Sequence, residues 1–137
     1  MSVVTELLRG ESDGTISFGD YTREQKGKLE DFEHGGDLYK VKTYYEITKL
    51  ERNGLFVYES VPGSAVNHFL EKENGVSFLL ESSQDVQITL ELAESTEYGI
   101  FVDSEQVGLV ETNRSGKLSF SVELEEGKPV QVKVVER

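Results

Sequence analysis

Between Val86 and Val134 apolar side chains recur at every second position, as Val86, Ile88, Leu90 and Leu92, then Tyr98, Ile100 and Val102. Leu118, Phe120, Val122 and Leu124 follow, and then Val130, Val132 and Val134. A helix returns a side chain to one face about every 3.6 residues and cannot bury such a pattern, whereas successive side chains of a strand point to opposite faces. Each set therefore lines a buried face, while Gln87, Thr89, Glu91, Ser119, Ser121, Gln131 and Lys133 face water. That is the pattern of antiparallel strands with one wet side.

The intervening segments agree. Asp103 to Gln106, Asn113 to Gly116 and Glu125 to Lys128 are rich in turn-forming residues and separate the alternating runs. With Val76 to Glu81 and Val107 to Glu111 added, residues 76–137 read as a regular series of short strands. Residues 1–75 read as less regular. Ile16 and Phe18 mark a short strand, and residues 38–61 read as one long hairpin turning at Asn53-Gly54, where both residues tolerate the positive φ of a type I′ turn. A two-residue loop there pairs Arg52 with Leu55, Leu50 with Val57 and Lys49 with Tyr58. The face holding Tyr39, Val41, Tyr45 and Ile47 then continues into Lys49 and Glu51, a mixture that a bulge, or a departure from the sheet near Ile47, would resolve. Pro62-Gly63 reads as a turn with a positive-φ corner. Residues 22–32 could form two helical turns with Leu29 and Phe32 inward, and residues 65–72 one more. The expected architecture is one all-β domain spanning 1–137, an antiparallel β-sandwich of about nine strands with little helix.

Charge limits the partners. The 137-residue chain holds 26 acidic and 14 basic residues, a net charge of −12, which disfavours nucleic acid and anionic membrane surfaces. With no cysteine there is no disulfide, thiolate nucleophile or cysteine-held zinc. No run approaches the roughly 18 apolar residues of a membrane helix, and no signal peptide is visible, so the chain reads as cytoplasmic unless a signal has been removed.

Thr96 to Leu124, followed by Gly127 to Val135, resembles the terminal β-sandwich appendages of polysaccharide-active enzymes and bacterial surface proteins. The likeness rests on a Tyr-led strand, a short turn, a second strand, an Asn-Gly-type turn and a final strand pair. Asp31 to Phe69 is similar to a group of small acidic bacterial proteins without an established function, some of which carry the label of endosialidase chaperone. The first resemblance implies a binding appendage, with carbohydrate as one possible ligand. The second implies a soluble bacterial protein and adds no catalytic residue.

Three constellations carry chemistry. Glu30, Asp31, Glu33, His34 and Asp37 surround Gly35-Gly36, and histidine with carboxylates can hold a divalent metal. The spacing matches no established motif, and the expected state is a solvated acidic loop without metal. Ser64, His68 and Asp37 supply the residue types of a hydrolytic triad, although Ser64 lacks the flanking glycines of a nucleophile elbow. Tyr44 falls on the strand face that carries Lys40, Lys42 and Glu46, an aromatic ring on a polar surface made locally basic by two lysines. Exposed tyrosines stack on sugar rings or anchor protein partners. The leading expectation is a non-enzymatic interaction or assembly module without cofactor, using that face for a protein partner or a second copy. A carbohydrate-binding accessory module and a metal-dependent or hydrolytic enzyme using His34 are the alternatives.

Overall fold

The computed structural model describes residues 3–137 and contains thirteen strands. They are β1 (Leu8–Gly10), β2 (Ile16–Phe18), β3 (Gly27–His34), β4 (Asp37–Tyr44), β5 (Ile47–Arg52), β6 (Leu55–Val61) and β7 (Ala65–Lys72). β8 (Gly75–Glu81), β9 (Val86–Glu91), β10 (Glu97–Val102), β11 (Glu105–Glu111), β12 (Lys117–Val122) and β13 (Val130–Glu136) complete the series. Every pairing is antiparallel. A seven-stranded sheet runs β1-β2-β7-β8-β13-β10-β11 and a six-stranded sheet runs β12-β9-β6-β5-β4-β3. Among the described residues there is no helix, and so none long and apolar enough to cross a membrane.

The alternating residues meet between the sheets. Ile88, Leu90, Leu50, Val41 and Tyr58 of one sheet and Leu80, Val132, Val134, Phe78 and Ile100 of the other belong to one buried cluster. Tyr58 stands at its centre, edge-on to Phe18 (5.2 Å between ring centroids) and to Phe78 (5.8 Å) of the opposite sheet. Such pairs add about 0.5–1.5 kcal/mol each beyond area burial. At the margin, Arg52 of β5 pairs with Glu71 of β7 and ties the two sheets together.

The structure exceeds the expected strand number and replaces both helical segments. Residues 27–34 form β3, with Leu29 opposite Val41 and Phe32 opposite Tyr39, and residues 65–72 form β7. Both strands are bulged, with Asp31 and His68 at positive φ (56° and 54°). A bulge breaks the alternation by which a strand is read, so each segment passes for a short helix.

The expected long hairpin is a three-stranded meander. The chain turns at Tyr45-Glu46, with Tyr44 opposite Ile47, and turns again at Asn53-Gly54, where φ is 53° and 79°. Arg52 pairs with Leu55 as expected, but a bulge at Val57 moves Leu50 opposite Tyr58 and Lys49 opposite Glu59. The mixed face is resolved by neither expected remedy alone, since the chain does not leave the sheet near Ile47 but reverses within it, and the bulge lies on β6. Gly63 corrects the reading of the Pro62 turn, since it does not have a positive φ. It is small because a Cβ there would run into the carbonyl oxygen of Tyr44, and its N–H donates to the carbonyl of Tyr45 (3.0 Å).

Candidate functional site: a lysine row on the six-stranded sheet

On the outer face of the six-stranded sheet, Lys28 of β3 stands opposite Lys42 of β4, and Lys42 stands opposite Lys49 of β5. Strand pairing thus lines up three lysines perpendicular to the strands, at the ~4.7–4.9 Å spacing of neighbouring strands. Together with Lys40 and Glu51 they line a shallow depression of about 70 Å³. Among the described residues no ion pair involves Lys28, Lys42 or Lys49. Lys40 reaches Glu30 at 3.5 Å, and the row ends at Glu59, opposite Lys49.

An aromatic turn flanks the row on one side. Lys40, Lys42 and Tyr44 alternate outward on β4 while Tyr39, Val41 and Thr43 are buried. Tyr44 is half-buried, and its hydroxyl donates to Glu46 Oε2 at 2.6 Å. That hydrogen bond is the main reason its phenol is held above the usual range. The Tyr45 ring lies edge-on to Tyr44 at 5.4 Å and is 52% exposed, and Lys26 Nζ sits 5.7 Å from the Tyr44 ring centroid. Ile47 is half-buried opposite Tyr44, and Val61 on the neighbouring β6 is 51% exposed.

Thr43 holds this turn from beneath. Its hydroxyl lies 2.8 Å from Thr48 Oγ1 and accepts the N–H of Asp20, and Thr48 exchanges hydrogen bonds with the backbone of Ser64. The position of Tyr44 is therefore set by buried polar contacts on the other side of the strand.

The sequence placed Tyr44, Lys40, Lys42 and Glu46 together, and the structure keeps them on one hairpin, with Glu46 in the turn itself. Sequence reasoning missed Lys28 and Lys49. A continuous strand through Tyr45 and Glu46 puts Lys49 on the face away from Lys42, whereas a two-residue turn reverses that parity. The available signal was density, since five of the nine lysines fall between residues 26 and 49.

The acidic cluster is a strand pair and not the expected loop. Glu30, Asp31, Glu33 and His34 lie on β3 and Asp37 begins β4, joined by a type I′ turn at Gly35-Gly36 with φ of 60° and 86°. His34 Nε2–H donates to the carbonyl of Gly14 (3.0 Å), and Asp37 accepts Asn53 Nδ2 (2.9 Å). Among the described residues no three of His, Cys, Asp and Glu gather as a metal site.

The triad residues also go separate ways. Ser64 is fully buried, with its Oγ 2.8 Å from Tyr58 Oη and 2.6 Å from Ser60 Oγ. His68 Nδ1 contacts Asp13 Oδ2 (3.0 Å) and Thr15 Oγ1 (3.1 Å) on the β1–β2 connection. Ser64 therefore has neither a base beside it nor access for substrate.

No protein-family model, curated protein or solved structure matches the chain.

Proposed function

We propose that the chain is a non-enzymatic interaction module that recognises an anionic partner on the outer face of β3, β4 and β5. The row Lys28, Lys42, Lys49 carries this reading. Like charges at directly paired positions destabilise a sheet, and a chain with 26 acidic residues has ample carboxylates with which to neutralise them. A row left without an ion pair is accounted for by a counter-charge that arrives from outside. Against a net charge of −12, the row is also a local attractor that orients an approaching anion toward this face.

A second copy is one source of negative charge. A two-fold contact through the row itself would oppose lysine to lysine, so self-association through this face has to be heterologous, row against acidic surface.

The enzyme reading has less support, because His34 is committed to a backbone carbonyl and Ser64 is sealed in the core.

The test combines retention on an immobilised polyanion at low ionic strength with sedimentation across a salt series. Wild-type protein should be retained, and Lys28→Glu/Lys42→Glu/Lys49→Glu should not, while Lys72→Glu/Lys133→Glu behaves as wild type. Equal behaviour of the two variants overturns the reading.

A further inference from the structure

Resting on that reading of the lysine row, we propose that its ligand is a linear acidic polysaccharide with one carboxylate per sugar unit. The construction of the site narrows the ligand. Compact phosphate sites draw on free backbone N–H groups, helix N-termini or the bidentate fork of arginine. Here there is no helix among the described residues, the row lies within paired strands, and no arginine lines the depression. What remains is a row of lysines, compact point charges on flexible stems that hold an anion without fixing its angle. Such a row suits a repeating polymer better than a single small ion.

Spacing and surroundings choose among polymers. Paired strands set the lysine backbones about 4.7–4.9 Å apart, and their flexible four-carbon stems let the ammonium groups follow the carboxylates of a bound chain. A nucleic acid duplex, carrying a charge every ~1.7 Å, is repelled by the net charge of −12 more strongly than a chain with one carboxylate per sugar unit.

Beside the row lie Tyr44, Tyr45, Ile47 and Val61. A strand step separates Tyr44 from Lys42 and Ile47 from Lys49, so a strip of aromatic and aliphatic surface borders the strip of charge. A sugar acid has the same two aspects, an apolar C–H face that stacks on an aromatic ring and a carboxylate at its edge.

The experiment titrates 15N-labelled protein with oligogalacturonate, the same oligomer fully methyl-esterified, and polyglutamate of matched charge, and follows amide shifts. The charged oligosaccharide should bind saturably with shifts confined to β3, β4, β5 and the Tyr45-Glu46 turn, and the ester should not bind. Lys42→Gln should weaken binding at least ten-fold and Tyr45→Ala several-fold. Both positions are on the surface, so an unchanged thermal transition verifies the fold. If polyglutamate binds as tightly and Tyr45→Ala has no effect, the polysaccharide inference fails while the anionic reading stands. If none of the three probes binds, both fail.

Discussion

Tyr58 Oη lies 2.8 Å from Ser64 Oγ in the sealed interior, where both residues have no exposed surface. Ser64 Oγ also meets Ser60 Oγ, and burial pushes the Tyr58 phenol well above its usual range. Ser64→Val should leave the Tyr58 and Ser60 hydroxyls without their shared partner, at about 1–3 kcal/mol for a buried group left unsatisfied. Urea denaturation should show that loss in the midpoint. Binding to polyanions should be unchanged, and a catalytic role for Ser64 would require the opposite pattern.

Gly63 bears on the proposed site more directly. A Cβ at this position collides with the backbone oxygen of Tyr44, which cannot move without dragging the tyrosine turn. Gly63→Ala should cost at least ~1–3 kcal/mol, the range for overpacking, and should also weaken ligand binding. Gly35→Ala meets nothing within 4 Å, so only the left-handed backbone there penalises it. It should lose less stability and keep binding intact, as parallel melts and titrations would reveal.

Val132 and Phe120 respond differently to a buried charge, although the alternating pattern ranks them alike. Val132 is fully buried on β13 in the middle of the seven-stranded sheet, whereas Phe120 is half-buried on β12, an edge strand. Val132→Asp should abolish folding, because an unpaired carboxylate there has neither partner nor water. Phe120→Asp should remain folded with a lowered melting temperature by circular dichroism.

Acid should loosen the β1–β2 region first. Ser17 Oγ donates to Glu11 Oε2 at 2.5 Å and Arg9 Nε donates to the same oxygen at 3.0 Å. Chiefly through the Ser17 hydroxyl, these contacts hold the Glu11 carboxyl below the usual range despite some desolvation. The folded state therefore binds this proton less readily than the unfolded state. The stabilisation is complete above the ordinary glutamate pKa and is lost as pH falls through the lowered one. Ser17→Ala should flatten the acid limb of a stability-versus-pH curve and leave the region above pH ~6 parallel to wild type.

Strands β9, β12 and β13 were legible because their alternation is unbroken and one face is wet: Val86, Ile88 and Leu90 on β9 are buried as read. Residues 27–34 and 65–72 were not, because bulges at Asp31 and His68 hide the period that identifies a strand. Two-residue turns were legible at Asn53-Gly54, where the residues advertise positive φ. Tyr45-Glu46 advertises nothing, and the residues of β5 change face with it. Lys49 is the casualty, and with it the row that defines the proposed site. The buried hydroxyl cluster of Thr43, Thr48, Ser60 and Ser64 was equally silent, since polar residues in a strand read as solvent-facing.

The position of β13 bears on how the protein comes off the ribosome. Among the described residues it follows every other strand in sequence order, yet it sits between β8 and β10 and is the only strand joining β1-β2-β7-β8 to β10-β11. Until residues 130–136 have cleared the exit tunnel, the strands on either side of β13 in the seven-stranded sheet have no partner to join them. The inward side chains Val76, Phe78 and Ile100 then flank an open seam. Closure of the sandwich waits on the final strand, so vectorial synthesis yields no early shelter for this core.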